Sequence, residues 1–287
     1  MGTTTFEGAD GLRLVGDEAG PADGPAVLLL HGGGQTRHSW HGTAATLAER
    51  GWHAISLDLR GHGDSDWDPD ADYTREAFAA DITAVARRFD PRPALVGASL
   101  GGISAMIAIA AGGGGTEVAS SLVLVDIAHK TDEAGRLRIR AFMAARPEGF
   151  ADLEEVADAI AAFNPHRPRP TDLSGLHKNV RQRPDGRYVW HWDPRFLDER
   201  GHVDEARSTV EPAQLEKAAA SLRLPTLLVR GRSSDLLTED GAQAFLDLVP
   251  HAEFADVAGA GHMVAGDRND VFNRSILEFL ERHRPAG

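Results

Sequence analysis

The chain contains no cysteine, which excludes disulfides, thiolate metal sites and a cysteine nucleophile. It also lacks any apolar run approaching the roughly 20 residues needed to cross a bilayer, so no membrane span is expected. Its start, Met1-Gly2-Thr3-Thr4-Thr5-Phe6-Glu7, has no basic segment followed by an apolar one. No secretory leader is therefore expected, and the cytoplasm is the expected location. Positive charge is scarce as well. Against 43 Asp and Glu stand 30 Lys and Arg, a formal net charge of −13 that argues against nucleic acid or an anionic membrane as partner. What remains is a composition of 42% hydrophobic and 25% charged residues, that of an ordinary globular protein. The 287 residues suffice for one large α/β domain with room for an insertion.

The pattern along the chain is one of short apolar runs alternating with helical periodicity. Two alternating segments near Thr4–Glu7 and Leu12–Val15 predict an antiparallel hairpin at a sheet edge. Ala26–Leu30, Ala54–Leu59, Leu122–Asp126 and Pro225–Val229 are continuous apolar runs of the kind covered on both faces, and Glu253–Val257 reads as a last strand. Helices are expected over 39–50 with Ser39 as cap, 74–89 with Phe78, Ile82, Val85 and Phe89 on one face, 100–111, 239–248, and from about Asn269. This order predicts a mostly parallel sheet with helices on both faces. It breaks after Asp126, for the next convincing strand comes roughly 100 residues later, far beyond a simple crossover. The intervening segment reads as mainly helical, with the proline-rich 164–170 as a loop. The expected division is a core over 1–126, a cap over 127–222 and the remainder of the core over 223–287.

Leu95-Val96-Gly97-Ala98-Ser99-Leu100-Gly101-Gly102 reads as a buried strand, a sharp turn and the start of a helix. G-x-S-x-G alone says little in a chain with 31 glycines, so its setting carries the argument. A serine on such a turn has a strained backbone, and Gly97 and Gly101 remove Cβ atoms that would collide. A serine hydroxyl needs a base. His262 follows the last strand in a Gly259-Ala260-Gly261 loop, and Asp235 follows the strand before it, so both are expected at the same sheet edge as Ser99. The carboxylate would hold the imidazole tautomer, and Asp126, which also ends a strand, is the alternative acid. His31-Gly32-Gly33-Gly34 supplies side-chain-free amides. Gly33 and Leu100 are the expected oxyanion donors, with Gly34 the competitor. A phosphate cradle is disfavoured because no Lys-Ser/Thr pair follows the glycines. His31 is read as bracing its loop, and Arg60–Ser65 as stiffening the neighbouring one. Gly34, Trp190, Trp192 and Met263, with Phe163 and Met143, are the candidates for an apolar substrate pocket.

Taken together, the His31–Gly34 loop, Asp58–Ser65, the Gly97–Gly101 elbow, Asp126, Asp235 and Gly261-His262 resemble the alpha/beta-hydrolase superfamily, in the branch with a helical cap between strands six and seven. The resemblance covers nearly the whole chain. In the epoxide-hydrolase and haloalkane-dehalogenase relatives the nucleophile is aspartate. Here that position is Ser99, and the proline usual after the His-Gly loop is absent. The resemblance therefore implies acyl transfer through a serine ester, without cofactor or metal, on a small apolar ester or lactone. C–C bond hydrolysis, perhydrolysis, cofactor-free oxygenation and a ligand receptor with an idle triad are the alternatives. A homodimer stays open, whereas nucleic acid and membrane are not expected as partners.

Overall fold

The computed structural model describes residues 1–165, 169–197, 212–257 and 270–285. In chain order the elements are β1 (Gly2–Glu7), β2 (Arg13–Ala19), β3 (Ala26–Leu30), α1 (His41–Glu49), β4 (His53–Leu57), α2 (Arg75–Ala86), β5 (Ala94–Ala98), α3 (Leu100–Ala111) and β6 (Ser121–Val125). There follow α4 (Glu133–Ala144), α5 (Leu153–Phe163), β7 (Val180–Gln182), β8 (Tyr188–Trp190), α6 (Pro212–Ser221), β9 (Thr226–Gly231), α7 (Glu239–Leu248), β10 (Glu253–Val257) and α8 (Asp270–Arg282). Eight strands form one sheet in the order β1-β2-β4-β3-β5-β6-β9-β10. β1 and β2 form the expected antiparallel hairpin, β2 runs antiparallel to β4, and the other pairings are parallel.

The apolar strand runs are explained by burial on both faces. Leu28, Leu30, Leu95, Leu122, Leu124 and Leu228 point to one face and meet Phe78 and Ile82 of α2, Met106 and Ile109 of α3, Leu215 of α6 and Phe245 of α7. Val27, Leu29, Val96, Val123, Val125 and Val229 alternate with them, pointing to the other face against Leu47 of α1 and Ile276 and Phe279 of α8. Each such side chain taken out of water contributes about 1.5–3 kcal/mol. Among the described residues, no helix is long and apolar enough to cross a membrane.

One local expectation is corrected and another is extended. Ser39 does not cap the first helix. A 3-10 turn over Arg37–Trp40 precedes α1, and the Ser39 hydroxyl donates to the Thr36 carbonyl at 2.6 Å instead. The segment between β6 and β9 is mainly helical as expected, through α4, α5 and α6, and also carries a hairpin that was not expected, β7 and β8 pairing antiparallel with Val180 opposite Trp190. Their turn is Arg183-Pro184-Asp185-Gly186-Arg187, closed by the Gly186 amide donating to the Arg183 carbonyl at 2.9 Å. Pro-Asp-Gly between apolar positions is a turn signal that could have been read in advance. The hairpin joins α5 around Phe150, Val156, Leu176 and Val180, a cluster separate from the sheet's own core, whereas Leu215 and Ala219 of α6 belong to the latter.

Buried charge fixes the loop after β4. The Arg60 guanidinium is fully enclosed and donates from Nε to Asp81 Oδ2 at 2.7 Å and from Nη2 to Asp81 Oδ1 at 2.8 Å, tying the loop to α2. Removing one partner of such a pair strands the other charge. Asp81→Ala is therefore expected to lower stability by about 3–5 kcal/mol in urea unfolding. Asp66→Ala, which breaks the exposed pair with Arg13, should change it by less than about 1 kcal/mol.

Candidate active site

The turn from β5 into α3 lifts Ser99 out of the sheet. Its backbone has φ 46° and ψ −115°, a region non-glycine residues rarely occupy at a cost of about 1–3 kcal/mol. Close packing holds it there. A Cβ on Gly97 would lie 2.5 Å from the Gly102 nitrogen, and one on Gly101 would lie 2.5 Å from the Leu30 carbonyl oxygen. Gly102, not singled out from the sequence, is as constrained, since a Cβ there would meet Ile127 Cγ2 at 2.5 Å. Ser99 stands at the N-terminus of α3, where unpaired amides and the positive end of the helix dipole converge.

The glycine loop after β3 lies against it, for a Cβ built on Gly32 would be 3.3 Å from Ser99 Cβ. The Gly34 amide donates to His62 Nε2 at 3.1 Å and is thereby committed. The Gly33 and Leu100 amides have no acceptor among the described residues. His31 braces the loop as expected. Its Nε2 accepts from the Leu59 amide at 3.0 Å, so the proton sits on Nδ1 and is donated to the Gly32 carbonyl at 2.8 Å. The 58–65 loop is stiffened by Arg37, which pairs with Asp58 and, at 2.8 Å, with Asp64.

A small cavity of about 50 Å³ opens beside Ser99, lined by Gly32, Gly33, Gly34, Ile139, Phe142, Met143 and Phe163. Gly34 and Met143 are thus in the wall. Trp190 and Trp192 stand behind it, stacked on each other at 5.0 Å, with Trp190 against Phe142 at 5.3 Å. The two acids differ in their surroundings. Asp126 is 1% exposed, sits at φ 52°, and accepts from the Gly231 amide at 3.0 Å and the Ser234 hydroxyl at 2.5 Å. Asp235 is half exposed and its carboxylate is paired with Arg138 of α4. His262 and Met263 lie outside the described residues.

This constellation is a strained serine between a helix N-terminus and a glycine loop, on the carboxyl edge of a mostly parallel sheet. Residues 25–268 match the family model for the alpha/beta hydrolase fold, and the chain belongs to that family. Esterase Rv0045c of Mycobacterium tuberculosis is similar to it, 30% identical over 89% of this chain and 81% of its own. The sn-1-specific diacylglycerol lipase ABHD11 of Mus musculus is 28% identical over 91% of this chain and 82% of its own. In three dimensions the chain resembles an alpha/beta hydrolase from Novosphingobium aromaticivorans, with TM-score 0.80, 25% identity and 98% of each chain covered.

Burial lowers the basicity of the histidines that hold the loops: His31 to about 4, His62 to about 3, and His191 well below the ordinary value. Below pH 6.5 the unfolded chain takes up protons that these folded rings refuse, so stability falls as pH is lowered toward 4. His31 and His62 each contribute about 1.4 kcal/mol per pH unit within that window, and His191 acts in the same direction. Urea midpoints measured from pH 7 to 4.5 should decline accordingly. His62→Asn, though less stable at pH 7, should show a slope shallower by about that amount.

Proposed function

We propose that the protein is a cofactor-free serine hydrolase that cleaves a carboxylic ester or lactone through an acyl-enzyme. The observation that carries this is Ser99 at φ 46°, lining one small cavity with Gly33, whose amide, like that of Leu100, has no acceptor among the described residues. In the proposed reaction His262 takes the Ser99 proton as Oγ attacks the carbonyl carbon. The carbonyl oxygen becomes an oxyanion held by the two amides, each worth about 10²–10³ in rate. His262 then delivers its proton to the leaving alcohol, and water, deprotonated by His262, releases the acid and restores Ser99. The esterase and lipase activities named for the two relatives support ester cleavage. Ile139, Phe142, Met143 and Phe163 beside Ser99 favour an apolar acyl or alcohol group, and residues 127–222 act as the cap that supplies them.

Asp235 orients His262 in this reading, but the burial of Asp126 favours it as the second candidate. A triad carboxylate must stay in place while imidazolium forms beside it, and Asp126 is enclosed and anchored by a backbone amide and a hydroxyl. Asp235 already neutralises Arg138. Two measurements test the proposal. Ser99→Ala should abolish turnover of p-nitrophenyl acetate and butyrate and labelling by a fluorophosphonate, with an unchanged circular dichroism spectrum; a variant of undiminished rate ends the proposal. Of Asp126→Asn and Asp235→Asn, the one that removes the orienting carboxylate should lose about 10⁴ in kcat.

A further inference from the structure

Three consecutive peptide groups of the glycine loop are each gripped by one imidazole. The Gly32 carbonyl, whose peptide carries the Gly33 N–H, accepts from His31 Nδ1 at 2.8 Å. The Gly34 N–H donates to His62 Nε2 at 3.1 Å, and the Gly34 carbonyl faces His191 Nε2 at 3.3 Å. His31 and His62 come from the core, but His191 belongs to the segment inserted between β6 and β9. Its ring is 2% exposed, and its tautomer is dictated by a neighbour. The Gly63 amide, which can only donate, lies 2.8 Å from Nδ1, so the proton must sit on Nε2 and point at the Gly34 carbonyl.

The residues around His191 seat that part of the insert on the core. The Asp193 amide donates to the Gly61 carbonyl at 2.9 Å, the Tyr73 hydroxyl donates to Asp193 Oδ2 at 2.5 Å, and the Arg181 guanidinium donates to the Gly63 carbonyl. We infer that His191 is a positioning residue for the oxyanion-binding loop: with His62 it holds Gly34 from both sides, so the Gly33 amide faces Ser99 only while the inserted segment is seated. The insert is then part of the catalytic apparatus, and its displacement would disarm the serine without touching it. This rests on the hydrolase reading above.

The test separates the two grips of the ring. His191→Gln can reach the Gly34 carbonyl with its amide N–H, His191→Asn can satisfy only the Gly63 amide, and His191→Phe can do neither. With p-nitrophenyl butyrate, Phe and Asn should lower kcat roughly 10- to 100-fold with KM nearly unchanged, part of the loss expected for a missing oxyanion donor, and Gln should recover most of it. Affinity for a boronic acid, whose tetrahedral serine adduct uses the same amides, should fall in parallel. Phe or Asn variants that keep wild-type kcat and boronate affinity overturn the inference, as does a loss confined to KM.

A second measurement needs no Phe or Asn variant to fold. In ¹⁵N-imidazole spectra of the wild type, assigned by the signal missing from His191→Gln, His191 should carry its proton on Nε2 at pH 7. A proton on Nδ1, or on both nitrogens, overturns the inference. Failure of the hydrolase reading would look different, with wild type and Ser99→Ala equally inert toward ester and boronate, and the tautomer would still decide whether His191 grips Gly34.

Discussion

The contact on which the site depends is between two backbones. Gly101 at the start of α3 rests against the Leu30 carbonyl at the end of β3, and its amide donates to the His31 carbonyl at 3.1 Å. No side chain fits between them. That approach does two things together. It braces the turn that puts Ser99 at positive φ, and it fixes the beginning of the glycine loop beside the serine. Ser99, the proposed nucleophile, and the amides proposed to receive the oxyanion therefore share one joint, and the sheet order β4-β3-β5-β6 makes that joint possible by setting β3 next to β5. Preorganised donors help only if they do not have to move when charge develops.

Strain at Ser99 must be held by something stiffer than the turn itself. Around the glycine loop the stiffness is polar. Arg37 and Asp58 lock the loop ends, Arg60 and Asp81 lock the next loop to α2, and the imidazoles occupy the space between. The Arg60 guanidinium and the imidazoles are buried with every nitrogen hydrogen-bonded, the condition under which such groups rigidify structure rather than weaken it. An apolar filling of the same volume would pack as well but would leave loop amides and carbonyls without partners.

Much of this was legible in the sequence, for identifiable reasons. Strands buried on both faces read as continuous apolar runs, so β3, β4, β5, β6 and β9 stood out. α3, α7 and β10 fall on the residues where periodicity put them. The elbow was legible because a tight turn demands glycine at fixed offsets, and His31 was legible as a brace of the glycine loop that it heads. The insert was harder to read. β7 and β8 are only three residues each, too short for alternation to register, and Trp190 and Trp192 stack behind the cavity while the shorter α4 and α5 side chains line it. Gly102 escaped notice because its neighbour is Ile127, distant in sequence. The choice between Asp126 and Asp235 was closed to the sequence for a related reason. Both follow strands, and what separates them is burial and the Arg138 pairing, which only packing creates.

Histidine illustrates how one side chain can be put to opposite uses by its surroundings. A general base must change protonation state near neutral pH and needs some access to water or a counter-charge. Burial deprives His31, His62 and His191 of water, and the pull of Asp58 and Asp193 on His62 does not offset that loss. They are buried, packed with ring centroids 5.2 and 5.9 Å apart, and each has one nitrogen pinned as an acceptor by a backbone amide, so protonation would cost a hydrogen bond as well as desolvation. They serve as neutral, directional struts. That is the property a loop made of glycine lacks and requires, since glycine imposes no backbone preference of its own. The loop gains its bare amides by giving up side chains, and the imidazoles packed beneath it supply the rigidity that those side chains would otherwise have provided.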